Sequence, residues 1–125
     1  MAKIVKLRLV EGVRLNPDRI VTLYAELGEP GADRAIRRTM RQMSRALDGL
    51  RRDHAAGQAL NETVLRAFAD NAATIGMASA ARVAEDVIVA LLAGDGPARE
   101  ATFARLGRIG DRSFSAVIDL QDMSL

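Results

Sequence analysis

Apolar positions along the chain fall into five stretches that share the helical period. In "LNPDRIVTLYAELGEPG", Ile20, Leu23 and Leu27 form a stripe. Asn16 is placed to cap this helix, Pro17 suits its first turn, Asp18 complements its dipole and Gly28 ends it. The next stretch, 32–53, is the most regular. Ile36, Met40, Met43, Leu47 and Leu50 recur at spacings of four, three, four and three, and Arg34, Arg37, Arg38, Arg41, Arg45 and Arg52 occupy the opposite face. "RDHAAGQALNE" then reads as a loop.

A third helix starts near Asn61, with Val64, Leu65, Phe68, Ala72 and Ile75 as its buried face. At about 100° per residue, Arg66, Ala69, Asp70, Ala73 and Met77 are expected on the other side, and Gly76 weakens or ends the helix. A fourth helix over 79–92 buries Val83, Val87, Ile88 and Leu91. "AGDGP" is a turn, and Pro97 is well placed to open a fifth helix. That helix carries Phe103, Leu106, Ile109, Ser113, Val117 and Leu120 on one face, beside Gly107 and Gly110. A glycine inside a helix costs about 1 kcal/mol relative to alanine, so this pair predicts close approach of a neighbouring helix.

Short loops between successive helices predict antiparallel packing. The expected fold is therefore all-α: an antiparallel up-and-down four-helix bundle with a short additional N-terminal helix. Residues 1–15, where apolar and basic positions alternate loosely ("KIVKLRLVEGVRL"), read as an extended arm or short strand, and 16–125 as the bundle domain.

Composition adjusts this picture only slightly. A chain of 125 residues is one domain with one core. Its aromatics are Tyr24, Phe68, Phe103 and Phe114 alone, so aliphatic side chains, alanine and methionine must fill that core. The absence of cysteine excludes disulfides and thiolate metal sites. The opening residues are too often interrupted by charge for a signal peptide or a membrane span, which makes the cytoplasm the expected location. A net charge of +2 names no partner, but its distribution is uneven: residues 1–54 hold twelve Lys/Arg against seven Asp/Glu, and 55–125 hold six against nine. Such a mildly dipolar chain suits protein docking.

Three segments carry a family resemblance: "AELGE", the long helix and loop that follow, and "TIGMASAARVAEDVIVALLAGDGPAREATFARL". In this order they resemble the histidine-containing phosphotransfer (Hpt) domains of two-component signalling, over most of the chain. The resemblance implies a helical bundle whose third helix displays a phosphorylatable histidine shortly before an Ile-Gly break. Counting back from Ile75-Gly76, that histidine position falls on Arg66, and the family's lysine, glycine and serine positions fall on Ala69, Asp70 and Asn71.

Each departure has a chemical consequence. Phosphotransfer needs a neutral imidazole nitrogen, whereas a guanidinium stays protonated and has no lone pair for attack. Ala69 cannot neutralise a phosphoryl group, and Asp70 puts negative charge where the family leaves room for a carboxylate-rich receiver pocket. The expectation is a pseudo-phosphotransfer module that docks a response-regulator receiver or a histidine kinase without accepting phosphate. Its docking face would be Arg66, Ala69, Asp70 and Ala73, extended by Arg41 and Arg45. The blander reading pairs Arg66 with Asp70 one turn away, a surface contact worth some 0.3–0.5 kcal/mol. The alternative to docking is a structural or dimer-forming bundle in which the Gly107/Gly110 region meets a second subunit.

Other chemistry is thin. His54 is the only histidine and lies outside the matched helix, so relay through it needs a displaced site; a plain surface histidine is the simpler expectation. It has no companions at ligand spacing, so neither metal nor cofactor is expected. The arginine row of 34–52 has phosphate-binding chemistry, but no aromatic accompanies it for base stacking, and carboxylate-rich protein is the more natural partner. "GDGPARE" lacks the Gly-Lys-Ser/Thr ending of a phosphate loop. Met40 and Met43 read as core, Ser113 and Ser115 have no histidine nearby, and no enzyme is expected.

Overall fold

The computed structural model describes residues 13–123. Among them the secondary structure is entirely helical: α1 (Pro17–Ala55), α2 (Glu62–Thr74), α3 (Ala78–Ala93) and α4 (Gly96–Met123). Helices adjacent in sequence pack on one another, and α4 returns against α1. The arm read over residues 1–15 lies outside the described residues except for 13–15, which are not helical.

The local chemistry of the helix ends follows the sequence. The Asn16 side chain accepts from the Arg19 amide at 3.2 Å, and that of Asn61 accepts from Val64 N at 3.1 Å. Asp95 does the same for Ala98 N at 3.0 Å, and Gly94 closes α3 in the left-handed region. Gly28, at φ 72° and ψ 168°, breaks α1 without ending it. Helix resumes at once because Pro30 stands in the first turn after the break, where a missing N–H leaves no bond unmade. Across the break, the Tyr24 hydroxyl donates to Asp33 Oδ1, and Gln121 Nε2 of α4 reaches the Asp33 carbonyl at 3.4 Å.

The core is one aliphatic cluster. Ile36, Met40, Met43, Leu47 and Leu50 of α1 are all buried, as the four-three spacing predicts, and they meet Leu65 and Phe68 of α2, Val83 and Val87 of α3, and Leu106 and Val117 of α4. Ser113 is fully buried in this apolar setting, and its hydroxyl donates to the Ile109 carbonyl at 2.7 Å.

Several expected positions differ. Leu27 is 49% exposed, because the break at Gly28 lifts the end of the leading segment off the core. Ala69 and Met77, expected on the outer face of the third helix, are buried. Ala69 projects only about 40° from Leu65, at the border of the buried face, and its small side chain closes that border. Met77 follows Gly76, whose φ of 78° redirects the chain, so the periodicity of α2 does not extend to it. Val64, Leu91 and Leu120 are only half-buried.

The α2–α3 turn is clamped by the residues that lead into α1. Asn16 N donates to the Gly76 carbonyl at 2.7 Å, Arg19 Nε donates to the Thr74 carbonyl at 2.8 Å, and Arg14 exchanges bonds with Ser79. A Cβ on Gly76 would lie 2.8 Å from Ile20 Cγ1 and 3.0 Å from Asn16 O, so this crossing requires glycine for space as well as for φ.

Candidate functional site

The outer face of α2 is a short stripe. Glu62, Arg66, Asp70 and Ala73 fall within about 80° of one another in helical projection, and the last three are exposed. Ala69, placed on this face by the sequence, is 6% exposed and offers a partner almost nothing. Arg66 does not pair with Asp70. Its Nε donates to Glu62 Oε2 at 2.7 Å, one turn in the other direction. Glutamate preceding the cation by four residues is the better orientation on a helix, which explains the choice. Asp70 is left exposed; its carbonyl accepts from Thr74 Oγ1 at 2.9 Å.

Arg41 and Arg45 are exposed on α1, but no hydrogen bond or ion pair among the described residues joins them to Arg66. Beyond the break at Gly28, the residues of α1 whose side chains bond another helix, Asp33, Arg51 and His54, all bond α4, while Arg19, before the break, bonds Thr74 at the end of α2. Arg41 and Arg45 thus belong to an arginine row with Arg34, Arg37 and Arg38, none of which forms an ion pair among the described residues.

A second constellation, which sequence reasoning missed, sits between α1 and α4. His54 Nε2 lies 2.9 Å from each carboxylate oxygen of Glu100, and its ring stands 5.1 Å from that of Phe103. One turn earlier, Arg51 Nη2 donates to Asp111 Oδ2 at 2.9 Å while crossing Gly107; a Cβ there would meet Nη2 at 2.8 Å. These groups line an open groove of about 340 Å³. The signal was present: His54 follows Leu50 by four residues and so continues the inward seam of α1. Its partners stand 46 or more residues away, where no local spacing reveals them. With Nε2 held by Glu100, this imidazole is occupied in a helix–helix contact.

Gly107 and Gly110 are both buried within the chain. Gly107 accommodates Arg51, and Gly110 accommodates Leu47, whose Cδ2 would be 3.1 Å from an added Cβ. They serve this chain's own packing, as the expected close approach of a neighbouring helix requires. Among the described residues no group of three His, Cys, Asp or Glu is placed to hold a metal ion, and no helix is long and apolar enough to cross a membrane. Comparison with family models, with curated proteins and with solved structures found no match.

Proposed function

We propose that this chain is a pseudo-phosphotransfer module: a helical protein that docks a receiver or kinase of two-component signalling through α2 and does not accept phosphate. The observation that carries this reading is Arg66, exposed midway along α2 where the family resemblance puts a nucleophilic imidazole, and held only by Glu62. Both members of that pair are well exposed, 54% and 41%, so the contact is worth a few tenths of a kcal/mol, and Arg66 can be released to a carboxylate pocket at small cost. The docking stripe in this reading is Arg66, Asp70 and Ala73. It assigns no catalytic residue and puts the protein in the cytoplasm.

The reading takes the fold as an antiparallel up-and-down four-helix bundle, with the segment before Gly28 as a separate short leading helix. The pairing order supports this: Asp33 with Gln121, Leu47 beside Gly110, Arg51 across Gly107 and His54 with Glu100, so that partners on α4 move backward as α1 moves forward.

The test is a binding titration against purified receiver domains, with the wild type beside Arg66→Glu. Docking through α2 predicts saturable binding that the charge reversal weakens at least tenfold. Equal binding by both proteins, or by neither, contradicts it.

A further inference from the structure

The arginine row of α1 is the largest concentration of unpaired charge among the described residues. Arg34, Arg37, Arg38, Arg41, Arg45 and Arg52 are exposed, and none has an ion-pair or side-chain hydrogen-bond partner among the described residues. Arg51, Arg66 and Arg99 have carboxylate partners in Asp111, Glu62 and Glu100, whereas Arg82, Arg105 and Arg108 are, like the row, exposed and without an ion pair among the described residues, but scattered over α3 and α4. Between 34 and 52 the sequence offers one carboxylate, Asp48; Asp33, just before the row, is engaged by Tyr24 and Gln121.

We infer that this face binds the phosphodiester backbone of a duplex nucleic acid. Three features favour phosphate over a protein partner. The row is linear: from Arg34 through Arg38 and Arg41 to Arg45 it climbs about 16 Å on one rigid helix, in steps of about 4.5–6 Å. That spacing suits a regular polyanion, and the planar guanidinium fork suits its oxygens. The face also lacks the apolar anchors on which protein interfaces depend. The exposed large hydrophobics of the described residues are Val21, Leu27, Val89, Leu92 and Ile118, and none stands between 29 and 55. Finally, the clustering of guanidinium groups along one face of one helix is the electrostatic footprint of backbone binding. Without aromatics on this face, recognition is of charge and spacing, and sequence-independent. This surface is separate from the α2 stripe and stands or falls without it.

The experiment follows fluorescence anisotropy of labelled 20-base-pair duplexes of mixed sequence, DNA in one arm and RNA in the other, with the full chain. If about four phosphates are neutralised, the logarithm of affinity falls with that of salt at a slope near −3.6, roughly a 150-fold loss between 50 and 200 mM. Arg38→Ala with Arg41→Ala, two exposed sites where alanine favours helix, reduces that slope by about 1.8, while Arg66→Ala leaves it unchanged. The arm that binds more tightly identifies the source of phosphate. Absence of binding at 50 mM salt in both arms, a slope shallower than −1, or a double variant that behaves as wild type overturns the assignment. Loss of duplex binding in Arg66→Ala also overturns it, because that locates the phosphates on α2.

Discussion

His54 Nε2 stands 2.9 Å from both carboxylate oxygens of Glu100, and this pair ties the end of α1 to the beginning of α4. The ring reaches that position because it continues the seam of Met43, Leu47 and Leu50 and comes to rest against Phe103. More than a third of each side chain is open to water, so solvent screens the charge. Glu100→Gln is therefore expected to change stability by less than about 1 kcal/mol in urea unfolding at neutral pH. His54→Ala, which also removes the ring from Phe103, is expected to cost more than Glu100→Gln does. A large loss in Glu100→Gln would mean that the pair is far better shielded than its exposure implies.

Tyr24 gives the fold an alkaline limit. Partial burial, then its hydrogen bond to Asp33, push its pKa from 10.0 up to about 12. The unfolded chain ionises near 10 and the folded one near 12, so the unfolded state loses its proton first. Stability from this group is complete below pH 10 and lost between about 10 and 12. Tyr24→Phe is expected to remove that part of the alkaline slope and to cost on the order of 1 kcal/mol at pH 7. Urea midpoints of both proteins between pH 8 and 11.5 measure it.

The two buried glycines of α4 are expected to respond differently to alanine. At Gly107 the new methyl meets only the tip of Arg51, a flexible and partly exposed side chain that can swing aside. The gain in helix propensity, about 1 kcal/mol, then dominates, and Gly107→Ala is neutral or stabilising. At Gly110 the methyl presses on Leu47 at 3.1 Å and Phe68 at 3.7 Å, both fixed in the core. Overpacking there outweighs propensity, and Gly110→Ala is expected to cost about 1–3 kcal/mol. Thermal unfolding of the two variants separates the cases.

Gly76→Ala is expected to be the most damaging single methyl. It combines a positive φ with contacts of 2.8 Å to Ile20 and 3.0 Å to the Asn16 carbonyl, a backbone atom that cannot move without releasing the clamp. Strain at φ alone costs of order 1–3 kcal/mol, and the clash adds to it. An alanine variant as stable as wild type would show that the clamp on the α2–α3 turn is dispensable.

The helices were legible because they are amphipathic and well capped. The α1 seam, the Asn16 cap, a helix start near Asn61 and the turns at Gly76 and Gly94 were readable from spacing of one to four residues, whereas Gly28, read as a helix end, only breaks α1. What escaped was set by distance. Glu62 precedes Arg66 as closely as Asp70 follows it, and orientation along the helix decided between them. Ala69 sits on the boundary between faces, where periodicity is ambiguous and the fit of neighbouring helices decides. The His54–Glu100 and Arg51–Asp111 contacts join residues 46 and 60 positions apart, and only the packed fold brings them together.

The reading of α2 as a docking face without phosphate chemistry is tested most directly by mixing the chain with a labelled phospho-receiver and measuring complex and label in one sample. The account predicts a complex that Arg66→Glu disrupts, with no phosphoryl group on this chain. Label that moves onto the chain and disappears in His54→Gln would contradict it.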